Sequence, residues 1–283
     1  MRCAGFADEV SVDIDQQISA LRALGWPGIE MRLVGKGRNF DDVTDAEFEA
    51  IREKLERTGI QIVAYGSQIA NWSRKISGSF EVDVAELRQI MPRMQKTGTQ
   101  IVRIMSYPND GWAAPDWRAE VVRRLRELSR MAEANGIILG HENCDGWAGQ
   151  GPEATLACLA DVESPALKLI FDTGNPVTYG QDAWAYYQAV REHIVHVHIK
   201  DYLPDASAPG GYRAVFPGQG GGRVRDIVTD LKRTGYDGWY SMEPHILSVV
   251  HEGRDASGNE GRAREVFLQY GKTFEDLYHH AAA

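Results

Sequence analysis

Short apolar, β-branched runs alternate along the chain with stretches whose apolar residues recur every three to four positions, the pattern of repeated βα units. Eight such runs predict strands at residues 3–7, 28–33, 61–65, 100–105, 137–143, 167–172, 194–200 and 239–243. The stretches between them predict helices near 12–24, 44–58, 81–97, 116–135, 152–161, 181–192 and 223–234, with an eighth near 260–279. Thr44 followed by Glu47 reads as a capping box ahead of Phe48, Ile51 and Leu55, and Gly59 supplies a left-handed stop. Gly25, Gly98, Gly136 and Gly235 close the first, third, fourth and seventh helices in the same way.

Eight strands alternating with eight helices, with no polar linker long enough to divide them, predict the α/β class and one (β/α)8 TIM barrel domain over residues 1–283. A doubly wound dinucleotide-binding sheet needs GxGxxG between a strand and its helix, and no strand here is followed by one. The cluster Gly218-Gln219-Gly220-Gly221-Gly222 instead ends a long connection from Asp201. Such a connection is expected to be a mobile βα loop over the barrel mouth rather than a phosphate cradle.

Composition agrees: 283 residues suit one large barrel, and 43% hydrophobic with 25% charged residues is ordinary for a globular domain. Lys+Arg 31 against Asp+Glu 40 leaves a net charge of −9, which repels phosphodiester backbones and argues against a nucleic-acid partner. Apolar runs fall far short of the ~20 residues that span a bilayer, so no membrane span is expected. Asp8 and Glu9 interrupt the N-terminus before a signal-peptide core could form, and Cys3, Cys144 and Cys158 show no CxxC spacing. A reduced, cytoplasmic location is the expectation. A homo-oligomer or a hetero-oligomer stays open.

Active sites of such barrels lie at the C-terminal ends of the strands. The last four strands end in His141-Glu142-Asn143, Phe171-Asp172-Thr173, His196-Val197-His198-Ile199-Lys200 and Met242-Glu243-Pro244. Leu167, Leu169 and Phe171, then Val195, Val197 and Ile199, then Tyr240 and Met242 form apolar outward faces. Strand alternation therefore turns Asp172, His198 and Glu243 inward, beside Glu142. A single carboxylate of this set could as well form an ordinary salt bridge. Like charges among these three carboxylates, gathered with an imidazole, raise one another's pKa unless a divalent cation neutralises them, and oxygen-rich ligation with one nitrogen suits Mn2+, Mg2+ or Co2+.

On Glu142, Asp172-Thr173-Gly174-Asn175, His196-Val197-His198-Ile199-Lys200-Asp201 and Glu243-Pro244, the chain resembles the sugar phosphate isomerase/epimerase superfamily of xylose-isomerase-like TIM barrels. That resemblance covers nearly the whole chain. In ketose 3-epimerases of this superfamily the matching positions bind Mn2+ or a similar ion, and the two glutamates exchange the substrate's proton. It implies Glu142, Asp172, His198 and Glu243 as metal ligands, with Glu142 and Glu243 also catalytic. Ketose 3-epimerases commonly carry a histidine where this chain has Asn175 and a glutamate where it has Ala148, which separates it from simple tagatose or psicose epimerases. The endonuclease-IV branch needs further histidines that the third and fourth strand ends lack.

The expected function is a metal-dependent isomerase or epimerase acting on a sugar or keto-sugar through an enediolate. The alternative is a lyase of the same fold, dehydrating a keto-inositol or eliminating an aglycone from a 3-oxo-glycoside. A third reading is a catalytically silent carbohydrate-binding barrel. His141 faces nominally outward, as a core histidine would, but is kept as the base a lyase would need. His196, one layer below His198, is expected to be a buried hydrogen-bonding partner. Lys200, Asn175, Glu30 and Trp112 are the expected carbohydrate contacts, with Lys200 pairing with Asp201 and Glu30 pairing with Arg32 or Arg2 as the plainer alternatives. Trp72 and Trp147, like Trp112, stand in βα loops where an aromatic ring can stack on a sugar or cap a loop.

Overall fold

The structure, a computed structural model, describes residues 1–247 and 258–281. Eight parallel strands form a nearly closed barrel: β1 Cys3–Gly5, β2 Gly28–Met31, β3 Gln61–Gly66, β4 Ile101–Ser106, β5 Ile138–Gly146, β6 Leu167–Asp172, β7 Ile194–Ile199 and β8 Trp239–Met242. Their hydrogen-bonded order is β1-β8-β7-β6-β5-β4-β3-β2. The helices that follow them are α1 Ile14–Leu24, α2 Asp45–Thr58, α3 Glu81–Thr97, α4 Ala114–Glu133, α5 Pro152–Val162, α6 Ala183–Val190, α7 Val224–Arg233 and α8 Glu260–His280. The (β/α)8 architecture expected from the pattern is the one observed. No helix among the described residues is long and apolar enough to cross a membrane.

Boundaries follow local chemistry. Asp13 accepts from the Asp15 and Gln16 amides and so starts α1 two residues later than its apolar period alone indicates. The Thr44–Glu47 capping box forms, and Gly59 closes α2 at φ 71°. β1 stops at Gly5 because residues Ala7–Glu9 coil into a 3-10 turn. β2 stops at Met31 because Leu33–Val34 turns away to pair antiparallel with Arg38–Asn39.

Packing settles which residues enter the barrel. Phe171 meets Tyr186 and Tyr187 of α6 at ring-centroid distances of 5.8 and 5.7 Å, so odd positions of β6 face the helices and Asp172 faces the interior. A Cβ on Gly140 would come within 2.6 Å of the inward Ile170 side chain, so this inward position of β5 has room only for hydrogen. Glu142, two residues on, therefore also points inward. His141 falls between them on the outward face, in register with Ile104 and Leu169 of the neighbouring strands.

Deep in the barrel, Ala4, Val63 and Trp239 form a small apolar plug. Further toward the strand ends the filling turns polar, with His196 Nε2 within hydrogen-bonding distance of both Glu30 and Ser241. His198 is in register with Asp172 on one side and Ser241 on the other.

The glycine-rich connection, expected from sequence to be a mobile loop rather than a phosphate cradle, is fastened to Asp201. The Asp201 carboxylate accepts hydrogen bonds from the amides of Gly218 (2.9 Å), Gly220 (2.8 Å) and Gly222 (2.8 Å), and from its neighbour Tyr202 (3.0 Å). The glycine amides form an anion nest, and the anion inside it is the chain's own. A Cβ on Gly220 would collide with that carboxylate. Between Asp201 and the glycines, Tyr202–Pro204 and Tyr212–Ala214 pair as a hairpin, and Tyr202 and Tyr212 reach the barrel mouth.

Candidate functional site

Glu142, Asp172, His198 and Glu243 come together at the C-terminal mouth, all buried, each offering one ligand atom within 4.8 Å of the others. Local structure places each of them. Asn143 splints β5 to β6 through both backbone atoms of Asp172, donating to its carbonyl at 3.0 Å and accepting from its amide at 2.6 Å. Asp172 Oδ1 then accepts from the Gly174 and Asn175 amides at 2.8 and 2.7 Å, which aims Oδ2 at the mouth. Glu142 Oε1 lies 3.3 Å from His198 Nδ1 and accepts from Asn175 Nδ2 at 3.2 Å, while Arg103 donates to its Oε2 at 3.3 Å. Glu243 Oε1 accepts from Arg32 at 2.6 Å and lies 3.1 Å from His245 Nε2.

Lys200 completes the cluster. Its Nζ lies 2.6 Å from Glu243 Oε2 and 3.1 Å from Asp172 Oδ2. Neither contact has hydrogen-bonding geometry, so these two oxygens remain without a hydrogen-bond donor. Burial and the neighbouring glutamate charges push the Asp172 carboxyl up to about 6, against the pull of Lys200. Burial also opposes charge on Glu142, but the His198 hydrogen bond and charge and the Arg103 guanidinium bring it down to about 2. Glu243 is held well below the carboxylate range, because Lys200, His245 and Arg32 outweigh its burial. His198 is carried up to about 10 by Glu30 and Glu142 against its own burial. Two buried carboxylate oxygens lacking donors, in a set of three carboxylates and one imidazole, fit a divalent cation.

A cavity of about 670 Å3 opens from this cluster and is lined by Glu142, Glu243, Lys200, Asn175, Arg32 and Arg103 at its base. Trp72, Asn71, Asn39, Lys36, Tyr202 and Tyr212 line it farther out. Lys200 and Asn175 thus line the cavity, and Lys200 pairs with Asp172 and Glu243, not with Asp201.

Four expected residues lie elsewhere. Glu30 does not reach the cavity; it is buried under His198 and pairs with His196 and His198 rather than with either arginine. Trp112 is outside the lining, its backbone tied to Asn109, and the tryptophan at the mouth is Trp72. Trp147 is buried with Arg118 stacked over it at 5.2 Å. His141 lies on the helix side of β5, and burial lowers it to about 4, which keeps it neutral. His196 is the buried hydrogen-bonding partner expected of it.

Arg103, His245 and Tyr202 are not singled out by sequence, and Arg32 only as a salt-bridge partner for Glu30. Arg32 follows Glu30 by two residues, His245 follows Glu243 by two, and Arg103 precedes the end of its strand, so the two-residue period marks all three as inward candidates. Tyr202 follows Lys200 by two and carries the same mark. It arrives through the hairpin, and its hydroxyl lies 2.9 Å from His245 Nδ1.

A family model described as xylose isomerase-like TIM barrel matches residues 18–265. Among relatives, 2-epi-5-epi-valiolone 7-phosphate 2-epimerase of Actinoplanes sp. is 28% identical over 215 residues, covering 74% of each chain. Inosose dehydratase of Clostridium beijerinckii is 23% identical over 212 residues, covering 71% of this chain and 62% of that one. Among solved structures, the IOLI protein with a binding zinc atom superposes with a TM-score of 0.78 at 18% identity, covering 100% of both chains.

Proposed function

The chain belongs to the xylose isomerase-like TIM barrel family, and on that premise we propose that it is a divalent-metal-dependent enzyme that epimerises or isomerises a sugar or keto-sugar by moving a proton at a carbon next to a carbonyl. The observation that carries this reading is the placement of Glu142 and Glu243. They come from β5 and β8, separated in the sheet by the two strands that carry Asp172 and His198. Two carboxylates so placed flank a substrate held between them.

Glu142, Asp172, His198 and Glu243 would hold a divalent cation, which would supply Lewis acidity for a substrate carbonyl and offset negative charge beside it. Mn2+, Mg2+ and Co2+ all suit the donor set. Glu142 and Glu243 enter the reaction ionised, each with a guanidinium at its back, Arg103 for Glu142 and Arg32 for Glu243. One carboxylate accepts the carbon-bound proton. Return of a proton from the other on the opposite face inverts the carbon, and return at the adjacent carbon interchanges aldose and ketose. Lys200, kept charged by Asp172 and Glu243 despite its burial, orients a substrate oxygen, and Asn175 fixes the Glu142 carboxylate from the side.

A lyase reading draws on Tyr202. Its phenol lines the cavity, burial keeps it protonated, and a phenol in that place can donate a proton to a departing hydroxyl or aglycone. Proton NMR of candidate keto-sugars in D2O with Mg2+ separates the readings. Deuterium uptake beside the carbonyl with an epimer or isomer as product supports the first, an unsaturated product supports the second, and no exchange with any keto-sugar overturns both.

A further inference from the structure

Glu30 is fully buried in the barrel interior, and its carboxylate meets two imidazoles. Oε2 lies 2.9 Å from His196 Nε2 and 3.1 Å from His198 Nε2, and Oε1 lies 3.2 Å from the same His198 nitrogen. His198 has two ring nitrogens, so directing Nε2 at Glu30 leaves Nδ1 for the opposite side, where Glu142 Oε1 is 3.3 Å away. Phe6 stands edge-on to the ring at 5.1 Å and His196 at 5.4 Å, which leaves the imidazole little freedom to turn over. A carboxylate can only accept at this position, so it holds a proton on Nε2, which leaves Nδ1 as the ring nitrogen whose lone pair a cation can take in place of a proton.

We propose that Glu30 is a positioning residue for the metal centre: it holds His198 with Nε2–H directed inward and Nδ1 turned toward Glu142, Asp172 and Glu243, and thereby sets the affinity of those four residues for a divalent cation. This rests on the metal reading above. The rival assignment is a separate cation site, because Glu30, His196 and His198 also bring ligand atoms within 4.8 Å of one another. In that arrangement Nε2 of His198 would carry a lone pair instead of a proton.

The test is titration of the chelator-stripped full chain with Mn2+, with free ion followed by electron paramagnetic resonance, for wild type, Glu30→Gln and Glu30→Met. It is joined by long-range 15N spectra of the His198 ring in the Mg2+-loaded wild type and Glu30→Gln. The amide of Gln can still accept one hydrogen bond, so this variant keeps the fold if Met does not. The expected result is one ion per wild-type chain, about 10–100-fold weaker binding by Glu30→Gln, and a proton on Nε2 in the wild type. Equal affinities, or a proton on Nδ1, overturn the proposal while leaving the metal reading standing. Two ions per wild-type chain and one per Glu30→Gln chain overturn it in favour of the separate cation site. A wild-type chain that takes up no Mn2+ overturns the metal reading and the proposal together.

Discussion

Arg32, just past the end of β2, donates a 2.6 Å hydrogen bond to Glu243, just past the end of β8. The pair spans the one gap in the ladder, since among the described residues no strand pairing joins β1 to β2, and β1 lies between β8 and that gap. The same guanidinium makes two hydrogen bonds to Asp8 and lies 3.8 Å from Glu9, with its plane over the Phe6 ring at 4.3 Å. One side chain thus closes the barrel mouth and orients a candidate catalytic carboxylate.

Arg32→Ala should therefore destabilise the fold by about 3–5 kcal/mol, the scale for removing one partner of a buried ion pair. The change appears as a lower urea midpoint. Arg32→Lys should recover only part of it, because an ammonium cannot serve Asp8 with two donors while reaching Glu243. Midpoints within error of wild type for both variants would show that the seam is held by packing alone.

Glu142→Gln and Glu243→Gln should each lower kcat by ~10²-fold or more once a turned-over sugar is in hand, since each keeps an oxygen for the cation but loses the basic carboxylate. Cation affinity should fall much less. The two variants should differ in solvent exchange: one still removes the proton of a given epimer without completing inversion. Wild-type turnover in both would remove the glutamates from the proton path.

His141→Ala should keep kcat close to wild type, because the ring faces the helix layer and burial holds it neutral, at about 4. Its cost should be stability, about 1–3 kcal/mol for the space left in the packing. A loss of ~10²-fold in kcat with an unchanged melting curve would make His141 a base after all.

Cation uptake should release protons. His198 is carried up to about 10, so at neutral pH its ring holds a proton on Nδ1 that a cation must displace. A raised pKa favours the protonated, non-ligating form, so affinity should rise as pH increases from neutrality toward about 10. The rise is about tenfold per pH unit for one proton released. Calorimetry in two buffers of different ionisation enthalpy counts that proton, and a pH-independent affinity would exclude His198 as a ligand.

Asp201→Asn should loosen the strap over the mouth, because an amide replaces one of the two oxygens that serve the Gly218, Gly220 and Gly222 amides. The expected cost is about 1–3 kcal/mol for backbone donors left unpaired. Limited proteolysis should then cut between residues 202 and 222, and KM should rise more than kcat falls. An unchanged cleavage pattern would show that the hairpin holds itself.

Much of the site was legible in the chain because its determinants are local. On β6, β7 and β8 the apolar outward residues leave no choice about the faces of Asp172, His198 and Glu243, since a two-residue slip period binds every side chain of a strand to its neighbours' directions. Capping by Thr44 and Gly59 is likewise settled within a few residues. Only the tertiary structure decided the pairings across the barrel: Glu30 with His198, Arg32 with Glu243, Lys200 with Asp172 rather than with the adjacent Asp201. The same holds for Trp72 at the mouth in place of Trp112, and for a glycine strap wrapped on Asp201 in place of a free loop. Those partners lie up to 211 residues apart, and nothing in local spacing encodes them. They are chosen when closing the barrel removes water from the interior, because each buried charge must then find its counter-charge among the few side chains that the curvature of the sheet brings within reach.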